Sequence, residues 1–96
     1  MPEDITLHLS FYGNIRDSVG ARELEITLAG PLTLRDLVDE MGRRYGKDLK
    51  NFIINLETGN LWVHFSVAVN NNLITDLDQI LSDGDKVTFL YPVVGG

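Results

Sequence analysis

Ninety-six residues make one domain, long enough for a single modest core that folds without covalent staples. The chain has no cysteine, which excludes a disulfide scaffold, a cysteine nucleophile, iron–sulfur ligation and any thiolate zinc site. Eight Lys+Arg against 14 Asp+Glu leave a net charge of −6, so neither nucleic acid nor an anionic membrane is an expected partner.

The first strand is written in period two: Ile5, Leu7, Leu9 and Phe11 point one way, and Thr6, His8, Ser10 and Tyr12 the other. Gly13-Asn14 breaks the pattern, and Ile15 to Gly20 reads as a connecting loop. Leu24, Ile26 and Leu28 alternate with Glu23, Glu25 and Thr27, a second strand expected to pair antiparallel with the first and to end at Gly30-Pro31. Thr33 has the form of a helix N-cap with Asp36 as its capping-box acid. Leu34, Leu37, Val38, Met41 and Tyr45 then share one helical face, and Gly46 is the expected stop. Acids early and arginines late suit the helix dipole.

Residues 47–62 carry the weakest pattern; Phe52 to Leu56 reads as a short strand, with Glu57 to Asn60 turning into Leu61-Trp62-Val63. Phe65, Val67 and Val69 alternate as a further strand, and Asn70-Asn71-Asn72 suits a tight turn because Asn tolerates positive φ. A helical turn is expected within Asp76 to Leu81, Asp83-Gly84-Asp85 reads as a tight turn, and Val87, Phe89 and Tyr91 as the last strand. The order predicts an α+β domain over residues 1–91, with one main helix packed across a mixed sheet of four to five strands and a short helical turn before the last strand. Residues 92–96 form a flexible tail, because Pro92 cannot donate to a ladder and the glycines add no packing.

The side chains supply little chemistry of their own. His8 and His64 both fall opposite the apolar set and read as solvated or partner-facing. No serine sits in a nucleophile elbow and no glycine-rich phosphate cradle is present. Asp76, Asp78, Asp83 and Asp85 lack the spacing of a calcium loop and read as turn residues, so no metal site is expected. Trp62 reads as a partly buried packing residue. Leu61 to Thr75, the longest uncharged stretch, is too short and polar to span a bilayer. The acidic Met1-Pro2-Glu3-Asp4 has no apolar run behind it, so no secretory signal is expected and the expected location is cytoplasmic.

The sharp feature is Gly95-Gly96, which follows the last strand through Pro92-Val93-Val94. An end without side chains can be threaded into another protein's active site, where any Cβ would clash. Its carboxylate is a poor electrophile. It needs activation, and attack on the α-phosphate of ATP would give an acyl-adenylate that passes to sulfur or to an amine.

Several segments then carry a resemblance. They are Phe11-Tyr12-Gly13-Asn14-Ile15-Arg16-Asp17, Leu32-Thr33-Leu34-Arg35-Asp36-Leu37, Val67-Ala68-Val69-Asn70, Leu81-Ser82-Asp83-Gly84-Asp85-Lys86-Val87 and the ending Pro92-Val93-Val94-Gly95-Gly96. In this order the chain resembles the ubiquitin-like β-grasp sulfur carriers of the MoaD/ThiS family, and most of all the small subunit of molybdopterin synthase. Residues 46–62 are longer than that compact subunit needs and resemble longer, often archaeal-type relatives.

The resemblance implies that Gly96 is adenylated and thiocarboxylated by a ubiquitin-activating-like (MoeB-like) adenylyltransferase, which uses the ATP, while Gly95 lets the tail thread. The tail would then enter a MoaE-like large subunit, where the sulfur goes to a cyclic pyranopterin monophosphate in molybdopterin synthesis. The chain would be monomeric when free, bind no cofactor itself, and not be catalytic alone. It implies a docking patch of Tyr12, Leu73 and Leu90, with Arg16 as a polar contact and Pro92, Val93 and Val94 as tail contacts. Tyr12 and Leu90 also fall on the outward side of their strands by alternation. A ubiquitin-like protein modifier and a tRNA-thiolation carrier share the same activation, and a plain β-grasp interaction module is the third alternative.

Overall fold

The computed structural model describes residues 3–13, 15–62 and 65–91. Nine strands and three helices are assigned among them. They are β1 (Asp4–Gly13), α1 (Ile15–Val19), β2 (Glu23–Ala29), β3 (Leu32–Thr33), α2 (Leu34–Tyr45), α3 (Lys47–Ile53), β4 (Ile54–Asn55), β5 (Asn60–Leu61), β6 (Ser66–Val69), β7 (Asn72–Ile74), β8 (Ile80–Leu81) and β9 (Lys86–Tyr91). The main sheet has five strands in the order β2-β1-β9-β6-β7. Only the central pair, β1 with β9, is parallel; β1–β2, β6–β9 and β6–β7 are antiparallel.

The period-two reading of β1 holds: Ile5, Leu7, Leu9 and Phe11 are buried, as are Val87 and Phe89 on β9 and Val67 and Val69 on β6. Phe11 and Phe89 stack with ring centroids 5.4 Å apart, and Phe65 meets Phe89 edge-on at 6.4 Å. Leu34, Leu37, Val38 and Met41 of α2 close this core from the other side. Ser10 departs from the reading, since it points outward yet is buried. It is small and lies between Glu23 and Thr88 on the flanking strands.

The start of α2 is capped as expected: Asp36 N donates to Thr33 Oγ1 at 3.2 Å, and Thr33 N donates to Asp36 Oδ2 at 3.0 Å. Thr33→Ala removes the hydroxyl half of this capping box. It is expected to cost about 1 kcal/mol and to lower the thermal midpoint by roughly 4–8 °C, read by circular dichroism. Gly46 ends the helix at φ +111°, a backbone conformation that disfavours any side chain, and turns the chain into α3. A Cβ on Gly42 would sit 3.2 Å from Cβ of Lys50, so glycine is what lets α2 and α3 approach there.

Two expectations are corrected. Ile15 to Gly20 is not a plain loop: residues 15–19 form α1, anchored by a fully buried Ile15. Phe52 to Leu56 is not one strand: residues 47–53 are helical, with Leu49 and Ile53 buried one turn apart, and only Ile54–Asn55 is extended. The helical turn expected within Asp76 to Leu81 is there as a single turn, Gln79 N donating to Asp76 O at 3.1 Å, after which the chain extends into β8. The pairing of β3 with β8 was not foreseen. The asparagine turn is as read, with Asn70 and Asn71 at φ +52° and +72° between the paired Val69 and Asn72.

Candidate functional site

Pairing β1 parallel to β9 brings the C-terminal ends of both strands to one edge of the sheet. The register sets Tyr12 beside Leu90 and Gly13 beside Tyr91. Tyr91, the last described residue, therefore lies beside Gly13 and next to the row of Tyr12 and Leu90. Pro92, Val93, Val94, Gly95 and Gly96, the tail singled out in the sequence, lie outside the described residues.

The outer face of the sheet can be followed row by row. Tyr12, Leu90 and Ser66 form the row nearest that edge. Ser10, Thr88, Ala68 and Leu73 form the next. Tyr12 is 49% exposed and Leu73 is 73% exposed, while Leu90 is half-buried. Tyr12 and Leu90 are thus direct cross-strand neighbours. Leu73 shares their face but stands beyond the small residue Ala68, at the far edge strand. Arg16 is exposed on α1, immediately after β1, and not on the sheet face. Ser66, Ala68 and Thr88, which fill the face between the larger residues, were not singled out from sequence, although strict alternation along β6 and β9 puts them there.

One row further from the edge, His8 lies between Glu25 and Lys86 in the register, with Nδ1 3.4 Å from Glu25 Oε2. It faces outward, as read; His64 lies outside the described residues. The four aspartates near the end of the chain serve local structure. Asp83 Oδ1 accepts from Thr6 N, and Asp85 accepts from Ser82 N and Asn70 Nδ2. Asp76 Oδ1 accepts from Asp78 N, and Asp78 Oδ1 from Arg35 Nε. Trp62 is half-buried against the core, and its indole N–H donates to Asn51 O at 2.7 Å. Among the described residues no group of three or more His, Cys, Asp or Glu could hold a metal ion. No helix among them is long and apolar enough to cross a membrane.

One helix laid across a five-stranded mixed sheet, with its first and last long strands parallel at the centre, defines a ubiquitin-like β-grasp protein. Its sequence matches the ThiS family over residues 9–96, and the chain belongs to that family. The molybdopterin synthase sulfur carrier subunit of Escherichia coli (strain K12) is 30% identical over 86 residues, which is 90% of this chain and 94% of that protein. The solution structure of the Haloferax volcanii HVO 2177 protein superimposes with a TM-score of 0.80 at 26% identity, covering 97% of this chain and 88% of the other. A chain in the complex of subunits 1 and 2 of the molybdopterin-converting factor from Helicobacter pylori 26695 gives a TM-score of 0.58 at 25% identity. It covers 96% of this chain and 100% of that one.

Proposed function

We propose that this ThiS-family protein is a sulfur carrier of the MoaD/ThiS type that carries sulfur as a thiocarboxylate on Gly96 and delivers it in molybdopterin synthesis. The observation that carries this reading is the family match running to residue 96, through the diglycine. The chemistry balances in two steps. A Gly96 carboxylate oxygen attacks the α-phosphate of ATP and expels pyrophosphate, giving the acyl-adenylate. Sulfide then attacks the acyl carbon and expels AMP, leaving a thiocarboxylate. The carrier supplies the acyl group; a MoeB-like adenylyltransferase binds the ATP.

The E. coli relative supports molybdopterin as the destination, and the Helicobacter pylori complex supports a MoaE-like large subunit as the acceptor. The exposed Tyr12 beside the half-buried Leu90 at the end of β9, with the exposed Leu73 further across the same face, suits a docking surface that holds the domain while the tail is threaded. Arg16 stands close in sequence to Tyr12 and supplies a cation at that edge. The reading carries with it a cytoplasmic location, where ATP is available for activation. Incubation with a MoeB-like enzyme, ATP and sulfide should replace one carboxylate oxygen of Gly96 by sulfur, seen by intact-protein mass spectrometry. An unchanged mass with an activating enzyme that charges its own carrier in parallel overturns the reading.

A further inference from the structure

The two edges of the sheet differ. β7, at one edge, is three residues long, whereas β2, at the other, is seven. A long free edge presents unpaired backbone groups to any extended chain that reaches it. Phe11 N donates to Arg22 O and Gly30 N donates to Glu3 O, each at 2.8 Å, and these bonds set the parity of the β1–β2 ladder. Leu24, Ile26 and Leu28 therefore exchange bonds with Leu9, Leu7 and Ile5. The N–H and C=O groups of Glu23, Glu25, Thr27 and Ala29 point away from β1, toward the open edge.

The inner face beside this edge is incompletely covered. Ile26 is 2% exposed, but Leu24 and Leu28 on either side of it are only half-buried. A groove of about 510 Å³ runs between β2 and α2, its apolar floor Leu28, Ala29, Pro31 and Leu32 and its charged wall Asp36, Asp39, Glu40 and Arg43. Glu40 is bound by Arg43 and Arg44, whose hydrogen bonds hold its carboxyl below the ordinary range, and Asp39 is paired with Lys50 at 2.7 Å. Two arginines against the single carboxylate of Glu40 offset Asp36, so the groove side is balanced and the acidic charge at the edge is that of Glu23 and Glu25 on the outer face.

We propose that β2 and the β2–α2 groove form a binding site for an extended basic segment of another protein, which adds as a sixth strand. Alternate side chains of that segment serve different ends. One row lies on the outer face beside Glu23 and Glu25 and is lysine or arginine. The other covers Leu24 and Leu28 and is apolar. Its main-chain groups bond to Glu23, Glu25, Thr27 and Ala29. A second copy of this chain is the wrong occupant, because β2 paired with β2 would bring the Glu23 and Glu25 of both copies onto one face. The site does not involve the tail and is independent of the sulfur-carrier reading.

The test is amide NMR of the full chain titrated with a blocked seven-residue peptide of alternating lysine and valine. The expected result is saturable shifts centred on β2 and on Asp36 to Glu40, weakened by salt. New protection from hydrogen exchange is expected at Glu23, Glu25, Thr27 and Ala29. Methylating the peptide nitrogens that face β2 removes those bonds and should weaken binding by roughly tenfold or more, with the protein unaltered. Glutamate in place of lysine should abolish binding. The proposal is overturned by equal binding of the N-methylated peptide, by shifts centred on Tyr12 and Leu90, or by no saturation at millimolar peptide. Broadening of β2 signals with protein concentration alone would assign the edge to a second copy instead.

Discussion

Deleting Gly96 is expected to abolish thiocarboxylate formation while leaving the thermal midpoint unchanged. The deletion moves the carboxylate back onto Gly95 and shortens the tail by about 3.5 Å. In-line attack needs reacting atoms roughly 3–3.5 Å apart, and a misplacement of about 1 Å can already cost on the order of 100-fold. A tail one residue short, on a domain seated by its sheet face, leaves the carboxylate out of reach of the nucleotide. The fold loses nothing comparable, because the core is built from side chains between Ile5 and Phe89 and glycine has none to contribute. Gly96→Ala is the informative companion. It keeps the reach and adds only a Cβ, so it should lower the rate without abolishing the reaction, by the steric crowding that glycine avoids. Pyrophosphate exchange measures the first step and intact mass the second. Thiocarboxylate on the shortened chain would place the reactive group elsewhere.

The elements legible in the sequence are those whose pattern runs long enough to fix a period. β1 offers four inward residues in alternation, and α2 five apolar residues on one face with a cap at Thr33. The short elements were not legible for the same reason. α1 has five residues, so Ile15 and Val19 are its only apolar positions and two points define no period. In α3 the helical spacing of Leu49, Phe52 and Ile53 is present, but Phe52-Ile53-Ile54 together form a run of β-branched and aromatic residues that favours a strand locally. Its burial against α2, close at Gly42, decides in favour of the helix. β3 and β8 have two residues each and are strands only because the other is there, a long-range pairing with no local signature.

The site was legible in part. Alternation alone places Tyr12 and Leu90 on the outer face, and only the parallel pairing of β1 with β9 makes them neighbours. The free edge of β2 could not be read at all. Edge position depends on the order of strands in the sheet, and nothing in Glu23 to Ala29 says which neighbour is missing.

Phe11→Ala and Tyr12→Ala, one residue apart on β1, should fail in opposite ways. Phe11 is fully buried and stacked on Phe89, so truncation removes a ring and leaves a cavity between the two central strands. The expected cost is about 3–5 kcal/mol, a large share of the roughly 5–15 kcal/mol that holds a domain of this kind. A lowered denaturation midpoint, or failure to fold at 37 °C, is the measurable outcome. Tyr12 is 49% exposed and belongs neither to the core cluster nor to the side chains packed on it, so its removal should change stability by less than about 1 kcal/mol. If the row of Tyr12 and Leu90 docks the partner, the same truncation should weaken binding to the large synthase subunit by about 2 kcal/mol, or roughly 30-fold. Calorimetric titration of the folded variant reads this directly. Unchanged affinity would remove Tyr12 from the docking surface, and a matching loss of stability would show that its exposed ring supports the fold. Two adjacent residues thus separate what the inner face of the sheet does from what the outer face does. On the proposed reading the second bears on sulfur delivery, because the row of Tyr12 and Leu90 lies on the outer face at the end of β9.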